Sequence, residues 1–245
     1  MGKSKKSGRD NSPYIQQNNK LKDELNIKER FQLTDKQIEI LEKGVDKGTR
    51  CLMIDGLWGT SKSYLATLIS LKLLSTKKID QILYIRNPIE SSSSGKIGYI
   101  KGEISEKMAP YNEIFFNKLE ELLPRQDIDK IEKENRIACL PLGFTRGLSW
   151  NCKAVIVDEA ASLSLDDILL LLTRCGEFTR IFLIGDSMNQ NDIGSKSGFK
   201  KIFDLFSDEE SEQNGIFTYE LKNDSDILRS GFVRFIMKKT GKTKQ

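Results

Sequence analysis

Short apolar runs alternate with amphipathic segments along most of the chain. Five such runs are rich in strand-forming residues and are closed by Gly, Pro, Asn or Asp, which predicts buried strands. They cover residues 51–54, 81–86, 136–142, 153–157 and 180–186. Because helix-length segments separate these runs, the pattern predicts an α/β fold with a mainly parallel sheet and helices on both faces.

Helical patterns fill the intervals between the strands. Thr34 is a suitable N-cap for a helix with apolar positions at Ile38, Leu41 and Val45. Further helices are predicted over residues 63–74, 103–123, 127–135 and 165–174, and residues 226–230 open a C-terminal helix. Residues 89–102 contain serine and glycine without apolar periodicity, which predicts a long loop.

The N-terminal segment differs from the rest of the chain. It is rich in Lys, Ser, Asn and Gln and poor in apolar residues, so it cannot bury enough surface to order itself. We therefore expect a disordered tail over residues 1–24 and one domain over residues 25–245. A basic arm that contacts nucleic acid remains the alternative to a solvated tail.

Composition excludes several classes of function. Histidine is absent, which rules out His-based catalytic triads and His zinc sites. The balance of 39 Lys+Arg against 35 Asp+Glu is only mildly basic and does not by itself indicate nucleic acid. The four cysteines lack CxxC spacing and are expected to be reduced thiols of a cytoplasmic protein. No apolar run reaches membrane-spanning length, and no secretory signal is evident near Met1.

The segment between the first strand and the following helix carries the clearest chemical pattern. Its sequence, Gly-Leu-Trp-Gly-Thr-Ser-Lys-Ser over residues 56–63, is that of a phosphate-binding loop at a helix N-terminus. Lys62 is expected to reach the β- and γ-phosphates, and the Ser63 hydroxyl to bind Mg²⁺. Ser61 stands where such loops usually have glycine, so an ordinary strand-to-helix turn remains the alternative. The predicted nucleotide-binding residues here are Gly56, Leu57, Trp58, Gly59, Thr60, Ser61, Lys62, Ser63 and Tyr64.

Two carboxylates follow the apolar strand at residues 153–157. At the carboxyl end of a neighbouring parallel strand, Asp158 would hold Mg²⁺ together with Ser63, and Glu159 would orient and activate an attacking water. A solvated strand end is the alternative interpretation.

Two glutamines are candidates for contacts with nucleotide. Gln190 follows Gly185-Asp186 at the end of the fifth strand, where a polar side chain can sense the γ-phosphate or its water. Gln37 lies in the first turn of the helix before the phosphate loop, and its amide can pair with the N6 and N7 edge of adenine. A surface glutamine is the alternative for Gln37.

These motifs, in this order, resemble the PhoH family of P-loop ATPases, relatives of superfamily 1 helicase cores. The matching segments lie at residues 56–66, 86–88, 98–102, 106–107, 110–111, 141–147, 158–160, 172–174, 185–192, 197–198 and 226–230. The chain departs from the family pattern at Ser61, Asn87, Leu148 and Ala161.

The resemblance implies a single RecA-like P-loop NTPase domain that binds ATP and Mg²⁺. It also implies an RNA or single-stranded DNA partner and a homo-oligomer, for which a hexameric ring is one form. Arg229 matches the family's Asp-Ile-x-Arg position and would stabilise charge on the γ-phosphate. Arg146 is the other candidate for that role, and a surface arginine is the alternative for Arg229.

We expect ATP hydrolysis coupled to nucleic acid, with helicase-like activity left open. A non-hydrolysing, ATP-dependent binding module is the first alternative, favoured by Ser61. A small-molecule kinase is the second. Glu159, Gln190 and the lack of a Lys/Arg-rich lid favour hydrolysis over transfer to a bound hydroxyl.

Overall fold

A computed structural model describes residues 24–86, 104–189, 193–228 and 230–240; side chains are described from residue 112 onward in the second of these ranges. Residues 1–23 of the predicted tail, the predicted loop at residues 89–102, Gln190 and Arg229 therefore lie outside the described residues. The strands are β1 (Cys51–Gly56), β2 (Gln81–Arg86), β3 (Ile137–Pro141), β4 (Lys153–Asp158), β5 (Arg180–Gly185) and β6 (Ile216–Leu221). The helices are α1 (Asp35–Val45), α2 (Lys62–Ser75), α3 (Ile104–Leu122), α4 (Arg125–Lys133), α5 (Leu165–Leu172), α6 (Phe199–Leu205), α7 (Glu209–Gln213) and α8 (Gly231–Lys239).

In the described part of the chain, the strands form one sheet in the order β3-β2-β4-β5-β1-β6. Every pair of neighbouring strands is parallel. The five predicted strands and their parallel arrangement are thus confirmed. The sequence pattern missed β6, which pairs with β1 at one edge of the sheet.

Helices cover both faces of the sheet, as predicted. Because side chains alternate along a strand, β1 sends Leu52 and Ile54 to one face and Cys51 and Met53 to the other. The first face packs against α1, α2, α3 and α4, and the second against α5 and α6. This two-sided core is typical of the α/β RecA-like fold.

Some helix details differ from the prediction. Thr34 caps α1 as expected, but Ile38 is 41% exposed, and the fully buried positions of that helix include Gln37 and Ile40. The C-terminal helix begins at Gly231, so Leu228 precedes it. The Leu228 backbone N–H donates to the Gly59 carbonyl oxygen at 3.1 Å.

The cysteines are free thiols, as predicted. Cys51 and Cys152 are buried and Cys139 is half-buried, and burial raises the pKa of Cys139 to about 12. None of the described helices combines the length and the apolar character needed to cross a membrane.

Candidate active site

The carboxyl ends of β1, β4 and β5 meet at one edge of the sheet and border a cleft of about 310 Å³. Ligands of open parallel sheets bind outside this edge, because the loops and helix N-termini that follow the strands converge there. The cleft is lined by Phe31, Trp58, Gly59, Ser61, Lys62, Ser63, Tyr64, Arg86, Lys118, Glu121, Asp158, Glu159, Ile184, Gly185 and Asp186. The structure thus brings together the phosphate-binding loop and both carboxylates predicted from the sequence.

The loop after β1 has backbone geometry that limits which residues fit. A Cβ on Gly56 would lie 2.8 Å from the Leu221 carbonyl oxygen, so the loop passes too close to β6 for a side chain. Gly59 has φ 83°, and Ser61 has φ 62° and ψ 25°, both in the left-handed region. Glycine adopts that region freely, whereas an L-residue does so at a cost of about 1–2 kcal/mol. The serine that departs from the usual pattern therefore occupies a position that favours glycine.

Lys62 lies inside the loop. Its Nζ donates to the carbonyl oxygens of Gly56 at 2.7 Å and Leu57 at 2.9 Å. Burial lowers the pKa of Lys62, while the carboxylates of Asp186 and Asp158, among others, oppose that shift. The half-buried lysine thus lies in the cleft lining, beside two carbonyl oxygens of the loop and within the field of several carboxylates.

Ser63 and Asp158 are in direct contact. The Ser63 hydroxyl lies 3.1 Å from both Asp158 carboxylate oxygens. Two adjacent ligands of an octahedral Mg²⁺ at about 2.1 Å lie about 3 Å apart, and hydroxyl and carboxylate oxygens are ligands that Mg²⁺ prefers. The spacing and the donor chemistry therefore fit a Mg²⁺ site made of one serine, one carboxylate and bound phosphate or water.

Further groups hold Asp158, among them the Glu159 backbone N–H, which donates to its Oδ1 at 3.1 Å. The Tyr84 hydroxyl, from β2, donates to its Oδ2 at 2.6 Å, and the Lys118 Nζ, from α3, lies 3.7 Å from the same oxygen. The Tyr84 ring is buried and stacked on Phe115 with centroids 4.6 Å apart, so its hydroxyl has a fixed position. Burial raises the pKa of Tyr84, and Asp158 raises it further, so the hydroxyl keeps its proton.

Glu159 also lies in the cleft and has an unusual backbone. Its φ of 59° and ψ of 37° are left-handed, a conformation that costs an L-residue about 1–2 kcal/mol and is often retained at functional sites. Its Oε1 accepts a bond from the Arg86 guanidinium at 3.2 Å. Burial raises the pKa of Glu159, as does Asp158, whereas Arg86 and Lys62 lower it.

Gln37 occupies a different environment from the one predicted. It is fully buried, and its Oε1 accepts the Thr34 backbone N–H at 3.0 Å. Its Nε2 donates to the carbonyl oxygens of Thr60 at 3.3 Å and Asp226 at 3.1 Å. The surface alternative for this glutamine is therefore wrong, and a contact with adenine, which stays a prediction, would require these bonds to open.

The other predicted loop residues differ in their exposure and contacts. Leu57 and Thr60 are fully buried, so their side chains pack inside the protein and do not face the cleft. Trp58 is 45% exposed at the rim of the cleft. The Tyr64 hydroxyl accepts the Arg30 backbone N–H at 3.1 Å, and its ring meets Phe31 edge to face.

Gln190 and Arg229, the predicted sensor and one of the two arginine candidates, lie outside the described residues. Asp186 holds the backbone N–H groups of Met188 and Asn189 at 3.0 and 2.9 Å, which fixes the turn that leads toward Gln190. Arg146 is exposed and does not line the cleft. The roles of Gln190 and Arg229 stay predictions.

Sequence reasoning missed several residues of the site. Arg86 lies in a segment that matches the family pattern but has no predicted role, and Tyr84 is predicted only as a strand residue. Lys118 lies on helix α3 among several other charged residues, and nothing in the sequence distinguishes it from them. The signal for Tyr84 and Arg86 is their i, i+2 spacing at the end of β2, which places both side chains on one face of the strand beside β4.

The chain is similar to known proteins of one family. The profile of the PhoH family, described as "PhoH-like protein", matches residues 31–240. The chain is similar to PhoH-like proteins of Mycobacterium leprae (28% identity over 73% of this chain and 50% of the relative) and Bacillus subtilis (28% over 73% and 54%). It is also similar to Protein PhoH2 of Mycolicibacterium smegmatis (30% over 61% and 34%).

The chain thus spans about half or less of the length of these curated relatives. The family profile, by contrast, covers most of the chain, from Phe31 before α1 to the end of α8. That range includes the phosphate loop and both carboxylates of the cleft. The chain belongs to the PhoH family.

Proposed function

We propose that this chain binds ATP with Mg²⁺ and hydrolyses it. The observation that carries the proposal is the contact of the Ser63 hydroxyl with both oxygens of Asp158, in a cleft that Lys62 and Glu159 also line. A phosphate-binding loop, a metal-binding carboxylate and a second carboxylate are the parts that P-loop hydrolysis uses.

Each side chain has a distinct task in this proposal. Lys62 supplies positive charge to the β- and γ-phosphates, and backbone N–H groups at the start of α2 bind phosphate oxygens. Ser63 and Asp158 hold Mg²⁺, which when bound neutralises charge on the phosphates. Glu159 accepts a proton from the attacking water, and its raised pKa makes it a better base than an exposed carboxylate.

The roles of the two carboxylates can be separated by substitution. Glu159→Gln keeps the shape of the side chain but removes the base, so we expect nucleotide to stay bound while turnover falls by about 10²–10⁴. Asp158→Asn should instead weaken Mg²⁺-dependent binding. Calorimetric titration and phosphate release measure the two effects, and identical behaviour of the two variants would contradict this division of roles.

A non-hydrolysing, ATP-dependent binding module remains the second candidate, and the left-handed backbone of Ser61 favours it. In such a module the loop would hold nucleotide without reaching the geometry for hydrolysis. The wild-type protein distinguishes the two: tight ATP binding without phosphate release would support the module. A small-molecule kinase is less well supported, because a carboxylate beside the metal site, Glu159, suits activation of water better than transfer to a bound hydroxyl.

The proposal includes a nucleic-acid partner and assembly of several copies, both implied by the family resemblance. In a ring, Arg229 of one copy would act on nucleotide bound by its neighbour. Mixing Arg229→Ala with Glu159→Gln tests this, because only shared sites can regain both groups. Restored phosphate release would support a shared site, and co-assembly without restoration would count against it.

A further inference from the structure

The C-terminal helix α8 has two apolar faces but packs through only one of them in the described structure. Its inner face, with Met237 buried and Val233 half-buried, packs against Leu57 of the phosphate loop and Ile227. Its outer face carries Phe232, Phe235 and Ile236, which are 71%, 57% and 41% exposed. The i, i+3, i+4 spacing puts these three side chains side by side on the helix surface.

The charges of α8 indicate what could cover the outer face. The helix carries Arg234, Lys238 and Lys239 and no carboxylate, and all three cations are exposed. Lys239 lies four residues after Phe235, so by helical spacing it falls within the aromatic face. A second copy docked on this face by two-fold symmetry would bring like charges together. A polyanion with stacking surfaces would complement both the charges and the rings.

We propose that the outer face of α8, formed by Phe232, Phe235, Ile236 and Lys239, binds single-stranded nucleic acid. Bases stack on the phenyl rings, and phosphates contact the lysines, as on other surfaces that bind single strands without sequence preference. The helix has no carboxylate or amide side chain that could accept a hydrogen bond from a ribose 2′-hydroxyl and so select RNA. RNA and DNA strands therefore bind with similar affinity.

This inference deepens the proposed function, on which it rests for its link to ATP. The inner face of the same helix contacts Leu57, and the segment before α8 is bonded to the loop through Leu228 N–H and the Gly59 carbonyl at 3.1 Å. Only the α8 helix would therefore separate nucleic acid on the outer face from the phosphate loop. That contact is a physical route by which a bound strand changes ATP turnover.

The test measures binding of fluorescein-labelled dT20 and U20 oligonucleotides to the full chain by anisotropy. We expect the two probes to bind alike, and Phe232→Ala with Phe235→Ala to weaken both by at least about tenfold, because stacking on aromatic side chains is lost. Leu205→Ala removes another apolar side chain, 63% exposed on α6, and serves as the matched control with wild-type affinity. Lys238→Gln with Lys239→Gln should reduce the slope of log K against log salt by about 1.4.

A second variant separates stacking from simple apolar contact. Phe232→Leu with Phe235→Leu keeps apolar area but removes the rings, so we expect it to lose affinity like the alanine variant. Affinity of either variant within twofold of wild type would overturn the proposal. So would a change in assembly mass by light scattering for the alanine variant without loss of oligonucleotide binding, which would assign the face to a contact between copies. ATP turnover measured without oligonucleotide tests the proposed function separately.

Discussion

The Tyr84 hydroxyl donates a 2.6 Å hydrogen bond to Oδ2 of Asp158, from a strand that neighbours β4 in the sheet. Tyr84 does not line the cleft itself, and its ring is stacked on Phe115. The bond orients the carboxylate that faces Ser63. Outer groups of this kind commonly determine how well a metal ligand is positioned.

Tyr84→Phe should therefore weaken Mg²⁺ binding while leaving the fold intact. Loss of an outer-shell partner typically costs about 10–100-fold in metal affinity, and we expect an effect of that size on the Mg²⁺ dependence of nucleotide binding. Calorimetric titration of nucleotide at several Mg²⁺ concentrations measures it. Tyr219→Phe is the matched control, because that hydroxyl bonds Glu39 away from the cleft. Equal Mg²⁺ dependence of the two variants would show that Tyr84 does not position Asp158.

Lys62→Ala should abolish ATP binding or reduce it severely. The Lys62 Nζ bonds the carbonyl oxygens of Gly56 and Leu57 inside the phosphate loop, and we expect it to form charge-assisted bonds to the β- and γ-phosphates when nucleotide is bound. Direct binding measurements on this variant and on Lys200→Ala, whose lysine pairs with Asp204 on the surface, give the comparison. Unchanged affinity for Lys62→Ala would remove this lysine from the site.

Ser61→Gly should raise ATP turnover more than ATP affinity. Glycine adopts the left-handed backbone of this position without the cost of about 1–2 kcal/mol that an L-residue bears, and it removes a side chain from the cleft. Steady-state phosphate release and equilibrium binding separate the two effects. Gly59→Ala, at φ 83°, is the reverse substitution in the same loop and should be harmful. Equal or lower turnover for Ser61→Gly would mean that the loop is adapted to serine.

Lys222→Ala should destabilise the fold by about 3–5 kcal/mol, because it leaves a buried carboxylate without its partner. The Lys222 Nζ lies 2.6 Å from Asp55 Oδ2, and the two side chains are 6% and 0% exposed. Asp55 also accepts bonds from the backbone N–H and the hydroxyl of Ser187, so this ion pair joins β1, the end of β5 and β6.

Chemical denaturation of Lys222→Ala measures the loss. Lys200→Ala breaks an exposed pair and should cost about 0.5 kcal/mol or less. Similar stability losses for the two lysine variants would contradict the importance assigned to the buried pair.

Much of the site could be predicted from the sequence because its parts are local. The phosphate loop, Lys62 and Ser63 follow one strand and open one helix, and Asp158 and Glu159 directly follow another. Apolar runs with clear boundaries locate those strands, and parallel strands bring their carboxyl ends to the same edge. The order of these motifs along the chain is therefore enough to predict that they form one site.

The lateral order of the strands was decided only in the tertiary structure. Nothing in the local pattern states that β2 lies beside β4, yet that placement brings Tyr84 to Asp158 and Arg86 to Glu159. The edge strand β6 escaped prediction because it is mostly half-buried and includes polar residues, which weakens its apolar signal.

The burial of individual polar side chains could likewise not be predicted from the sequence. From the sequence, Gln37 is a candidate for an adenine contact or else a surface glutamine. In the structure, the loop carbonyl of Thr60 and the distant carbonyl of Asp226 accept bonds from its amide. Local sequence specifies which groups a side chain can bond. Which partners reach it depends on how segments far apart in the chain pack together, and only the folded structure determines that.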